Sequence, residues 1–418
     1  MIRLVEALHY RCLLDVRREL GPFHVLVGPN ASGKSTFLDV IAFLRDLLAH
    51  GVEKAVSDRS PSLLDLVWMR KTKRFDLAVE LEIPVDRKTR LPQDAYDRAR
   101  YEVAIGFDAK GQLAIVGEVL WLKPPAALRK PEQRTLFPAL PELRQFIVPP
   151  EGRHTPLGWK KVVTKKPESG NDYFFAETTG WNNPFRLGPQ RLALANLPED
   201  EERFPVGTWV KRFLMEGVQR LVLNSEAMRR AARPGSPLDF QPDGSNLPWA
   251  IEGLRQTNAE RLSRWIAHVR TALPDLKAID TIEREDDRHR YLRLEYTSGL
   301  KAPSWAVSDG TLRLLALTLV AYLDGPPRVY LIEEPENGIH PQAIETVFQS
   351  LSSSYGSQIL CASHSPVVLS LAEPAQVLCF ARTPEGATDV VSGSEHPNLR
   401  GWQRAADLGT LFATGVLG

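Results

Sequence analysis

The chain has 418 residues, 43% hydrophobic and 25% charged, which fits a soluble globular protein of two or three domain-sized units. With 52 basic and 51 acidic residues its formal charge is +1, so no global positive field forces a nucleic-acid reading. The cysteines Cys12, Cys361 and Cys379 suggest neither a disulfide framework nor a metal-binding pair and fit a reducing cytoplasm; the N-terminus is unlike a signal peptide, and the apolar stretch 314–323 is too short to span a bilayer.

In chain order, a β-prone run over 23–27 leads into Gly28-Pro29-Asn30-Ala31-Ser32-Gly33-Lys34-Ser35-Thr36, and a helical run over 37–49 follows. The nonapeptide fits G-x-x-x-x-G-K-[S/T] at every fixed position, in the strand–loop–helix setting that a phosphate-binding P-loop requires. Its glycines let backbone N–H groups turn toward a nucleotide's phosphates; Lys34 adds charge for the β- and γ-phosphates, and the Ser35 hydroxyl can ligate Mg²⁺. The chain is therefore read as binding a nucleoside triphosphate.

Residues 51–72 read as a polar connector. Period-2 patterning then predicts an antiparallel sheet over 73–123, with strands over 75–83, 101–107 and 113–122 and a turn at 108–111. Residues 124–205 hold 13 of the 32 prolines, which argues against long helices, with one strand expected over 172–179. Helical spacing over 209–223 and 246–273 predicts two helices, and 279–282 with 291–296 a hairpin. Helices and strands alternate over 308–418, as in a parallel sheet. The resulting division is 1–123, 124–205 as a Pro-rich insertion, a helical lobe at 206–300, and a C-terminal lobe at 301–418.

Three further motifs carry chemistry. In residues 329–341, four apolar residues end in Glu333-Glu334, a Walker B pattern: carboxylates at the C-terminal end of a buried strand, where open α/β sheets bind ligands. Glu333 would hold Mg²⁺, and Glu334 would orient or deprotonate the attacking water. Ser308-Asp309-Gly310 stands directly before a helical run, where a serine and a helix N-terminus together present an anion site. His364 follows the strand-like 358–360, one helix and one strand after Glu333.

The order Walker A, Ser308-Asp309-Gly310, Walker B, His364 resembles the ABC-type ATPase heads of the SMC/RecF/OLD-like class. The wording of the P-loop and of Glu333–Pro341 is especially similar to stand-alone AAA-type ATPases of bacterial genomes, and the resemblance covers 1–50 and 300–418 best. It implies an α/β ABC-type P-loop head with a mixed or parallel core sheet, an antiparallel β subdomain and a helical lobe. It makes Ser308, Asp309 and Gly310 a signature loop that meets the γ-phosphate held by another protomer, and His364 the switch histidine. It therefore implies Mg²⁺-dependent ATP hydrolysis by an ATP-dependent dimer or larger homo-oligomer in the cytoplasm, without membrane contact. It also suggests a protein effector, such as a nuclease or TOPRIM-like partner, in anti-phage defence. A RecF-like DNA-repair ATPase is the alternative, with Arg229, Arg230, Arg233, Lys160, Lys161, Lys165 and Lys166 as candidate phosphate contacts. Two departures stand out. Glu333 occupies the usual aspartate position, and the glutamine of the expected linking loop has only Gln190, or less well Gln112, to supply it.

Overall fold

The computed structural model describes residues 1–92, 96–125, 134–150, 154–166, 170–354, 356–399, 408–413 and 415. The predicted strands at 75–83, 101–107 and 113–122 are β4 (Phe75–Glu82), β5 (Arg98–Phe107) and β6 (Leu113–Lys123) of a larger antiparallel sheet. Its first strands are β1 (Ile2–Tyr10) and β2 (Leu13–Glu19); β7 (Lys160–Lys166), β8 (Asn171–Phe175) and β9 (Asn182–Phe185) come from the Pro-rich stretch. The strand order is β2-β1-β4-β5-β6-β7-β8-β9, antiparallel throughout.

A second sheet carries the nucleotide motifs. It orders β10 (Val218–Leu221), β14 (Val329–Glu333), β15 (Gln358–Ala362), β3 (Phe23–Val27), β16 (Val377–Arg382) and β17 (Thr388–Ser392), parallel except at the β16–β17 edge. Its central strands β14, β15, β3 and β16 are buried on both faces along nearly their whole length, as parallel strands under helices must be, while the edge strand β10 is partly exposed. Leu26, Leu331, Leu360 and Phe380 face the antiparallel sheet across the helix Lys34–His50, forming one core. Val25, Ile332, Ile359 and Cys379 face a second core built with the later helices and a small sheet of β11 (Leu276–Glu283), β12 (Arg290–Tyr296) and β13 (Lys301–Pro303). The order of layers is thus antiparallel sheet, P-loop helix, parallel sheet, helices.

Two expected helices differ. The one over 209–223 is a helix only at Pro205–Glu216; beyond Gly217, Val218–Leu221 pair with β14. The four residues Val218–Leu221 are too few to fix a period, and the open edge of β14 decides which forms. The one over 246–273 is two helices, Leu247–Thr257 and Ala259–Ala272, broken at Asn258, whose side chain caps the second by accepting from the Arg261 N–H (3.0 Å). Among the described residues no helix is long and apolar enough to cross a membrane.

Candidate functional site

The P-loop leaves the buried end of β3 and turns through residues that only small side chains permit. Gly28 has φ 145°, and a Cβ there would overlap the Phe380 carbonyl; Gly33 has φ 106°. Thr388 of β17 donates its hydroxyl to the Ser32 carbonyl (2.9 Å), fixing the loop from outside. The Ser32 hydroxyl is buried with no partner among the described residues. Lys34 opens the following helix and folds back, donating from Nζ to the carbonyls of Gly28 (2.8 Å) and Pro29 (2.9 Å). Burial pushes its pKa down to about 8, although Glu334 and Glu333 pull it back up.

Ser35, next in the helix, donates its hydroxyl to one oxygen of Glu333 at the end of β14. The other Glu333 oxygen accepts from Arg220 Nη2 (2.5 Å). The chain turns immediately afterwards: Glu334 has φ 49° and donates its N–H to the Ala362 carbonyl (2.8 Å) at the end of β15. A left-handed non-glycine residue costs roughly 1–3 kcal/mol and is held here by its surroundings. Glu336 ties this turn to the histidine loop, accepting from Ser363 Oγ (2.7 Å) and the His364 N–H (3.0 Å).

One cleft of about 860 Å³ is lined by Asn30, Ala31, Ser32, Gly33, Lys34, Ser35, Thr36, Glu334 and His364. Arg11, Arg70 and Arg382 line it too. Arg11 stands in the β1–β2 turn with φ 50° and pairs with Asp39 (3.5 Å); Arg70 pairs with Asp65; Arg382 ends β16. No motif marks these arginines: they reach the cleft from separate elements, through the closure of the fold. Neither Gln190 nor Gln112 lines it. The link from the antiparallel sheet to the later helices runs instead through β10, which carries Arg220.

Ser308, Asp309 and Gly310 do not line that cleft. Ser308 caps the helix Asp309–Leu319, accepting from the Thr311 N–H (3.2 Å). Asp309 is paired with Arg229 (2.7 Å), which also donates to the Val307 carbonyl (3.2 Å). Gly310 packs on the Walker B turn, so closely that a Cβ would stand 2.6 Å from the Gly338 carbonyl. Of the candidate phosphate contacts, Arg229 is thus engaged at this loop. Lys165 is buried against Asp172 (2.8 Å) and the Gly188 carbonyl (2.8 Å), and Lys160 donates to the Glu177 carbonyl (2.7 Å). Lys161 lies over the Trp121 ring, Arg230 stands exposed, and the Arg233 carbonyl accepts from Trp249. The Lys166 side chain lies outside the described residues.

The cleft suits a nucleotide's phosphates: a glycine cradle, a buried lysine, a hydroxyl with no partner among the described residues and three arginines converge on one space. Ser35 and Glu333 offer a cation two hard oxygens, which suits Mg²⁺ shared with phosphate and water. Among the described residues no group of three or more His, Cys, Asp or Glu side chains would hold a metal unaided.

Over 94% of the chain, the fold is similar to an Smc head bound to the C-terminal winged-helix domain of ScpA, with a TM-score of 0.52, 15% identity and 97% of that chain covered. An Smc head from Pyrococcus furiosus with an extended coiled coil, bound to the ScpA C-terminal domain, aligns at a TM-score of 0.49, 13% identity, 94% of this chain and 96% of that one. The SMC head from Thermotoga maritima aligns at 0.43, 10% identity, 94% and 98%. No curated protein matches the chain. The family model described as "AAA domain, putative AbiEii toxin, Type IV TA system" matches residues 23–370, and the chain belongs to that family.

Proposed function

We propose that this chain binds and hydrolyses Mg·ATP in the 860 Å³ cleft, in a dimer that completes each site with the signature loop of a second copy. The convergence of Glu334 and His364 on the cleft formed by Asn30–Thr36 carries the reading. Lys34 binds and orients the terminal phosphates. Glu334 orients the attacking water and takes its proton, and His364 stands beside the same space as a further hydrogen-bonding group. Mg²⁺, held through Ser35 and Glu333, supplies neutralisation of phosphate charge. Because Ser308, Asp309 and Gly310 do not line their own cleft, a second chain is the natural site of their action.

The biological output is read as switching a protein effector, such as a nuclease or TOPRIM-like partner, in cytoplasmic anti-phage defence. The toxin–antitoxin description of the family and the partner-bound Smc head with a TM-score of 0.52 support it. The RecF-like DNA reading has less to rest on, since Arg229 and Lys165 are committed to internal partners.

The test is a comparison of wild type with Glu334→Gln. The variant is expected to keep ATP binding, measured with a fluorescent nucleotide, while phosphate release falls roughly 10²-fold or more. Wild-type turnover in the variant would remove Glu334 from the chemistry.

A further inference from the structure

The geometry assigns Arg220 as a positioning residue that holds the Walker B carboxylate and weakens its grip on a divalent cation; the inference rests on reading the cleft as a Mg-nucleotide site. Arg220 lies on β10, whose register sets it beside Leu331 of β14. Side chains alternate along a strand, so Arg220 shares the face of Val218, which packs in the core formed around the helix Lys34–His50. Ser35 opens that helix. The guanidinium reaches past Leu331 to Glu333, where Nη2 lies 2.5 Å from Oε1 while Ser35 holds Oε2. Both oxygens of the carboxylate that would face the cation are thus engaged, one by a neutral hydroxyl and one by a fixed positive charge.

Stability does not account for this pair. The Arg220 side chain is 46% exposed and that of Glu333 30%, and exposed ion pairs contribute little to folding. Its consequence falls on the carboxylate. A permanent cation on Oε1 lowers the negative potential available at Oε2 and restricts the side chain's orientation. Glu333 therefore presents a weaker but better-aimed ligand, and tight cation binding depends on the charge that nucleotide phosphates bring. Without Arg220, Glu333 is a stronger and less ordered ligand.

The experiment titrates full-length protein with Mn²⁺, followed by electron paramagnetic resonance, in saturating non-hydrolysable ATP analogue, for wild type, Arg220→Ala and Arg220→Lys. Thermal melts in the same buffer check that each is folded. Arg220→Ala is expected to bind Mn²⁺ at least about threefold more tightly while its ATP turnover falls. Arg220→Lys, which keeps the charge, is expected to stay near wild type in affinity. A merely structural role would weaken both binding and turnover. Unchanged or weaker Mn²⁺ binding in Arg220→Ala, with wild type binding normally, would overturn the assignment alone. Absence of nucleotide-dependent Mn²⁺ binding in wild type would overturn the site reading as well.

Discussion

Lys34 is caught between two demands: burial favours its neutral form, while its proposed role in binding phosphate requires the charge. With its pKa down at about 8, the nucleotide-free lysine loses its proton at mildly alkaline pH. An anion at the site favours the protonated form, so ATP affinity is expected to fall as pH rises through about 8, measured by equilibrium titration at fixed ionic strength. Lys34→Ala is expected to bind ATP at least tenfold more weakly and to lose this pH dependence; a variant that kept it would point to another titrating group. Residues of this kind were readable in the sequence because their chemistry is contiguous. Gly28 to Thr36 and Glu333-Glu334 each come from one strand end, so spacing alone reports them. Arg11, Arg70, Arg382, Arg220 and Thr388 belong to different elements and meet the site only after folding. Each is an ordinary residue in its own neighbourhood.

At the scale of elements, the helix Asp309–Leu319 and the turn after β14 are held by close approach. Gly310→Ala would place a methyl group against the Gly338 carbonyl, and is expected to cost about 1–3 kcal/mol in denaturant unfolding. Loss of less than a few tenths would mean that the two elements slide apart freely. The antiparallel sheet is fastened differently. Buried Glu118 of β6 accepts from the N–H groups of Ala193 (2.6 Å) and Leu194 (2.9 Å), and Glu177 from those of Val206 (2.7 Å) and Gly207 (2.6 Å). Burial raises both carboxyls to about 7 from 4.5. The folded state then holds more protons than the unfolded state between those values, so these groups make stability decline as pH rises from about 4.5 to 7. Glu118→Gln is expected to cost about 1–3 kcal/mol, because its amide turns a donor toward a backbone donor, and to flatten part of that decline in melts across the range. Periodicity exposed β4, β5 and β6 because each is long and regular. It missed β10, which is only Val218–Leu221 and takes its identity from the open edge of β14. It also left β1 and β2 outside the antiparallel sheet, since partner choice is not written in alternation.

Across the whole molecule, two sheets clamp the P-loop helix, and all parallel strands deliver their C-terminal ends to one side. That side holds the P-loop, Glu334 and His364 together, while Ser308–Gly310 belong to a helix whose cap does not line the same cleft. On the proposed composite-site reading, a fold that separates these motifs within one chain would reunite them when two copies pack head to tail, with ATP between them. The mixed α/β class was legible because strand–loop–helix units recur at both ends of the sequence; the layering came from pairings hundreds of residues apart, such as β3 with β15. The most direct test of the composite-site account is light scattering of Glu334→Gln with and without Mg·ATP. The account predicts that ATP raises the mass from 46.8 kDa to about twice that value, and that Ser308→Arg abolishes the change while leaving ATP binding intact. A mass that stays the same with and without ATP would contradict it.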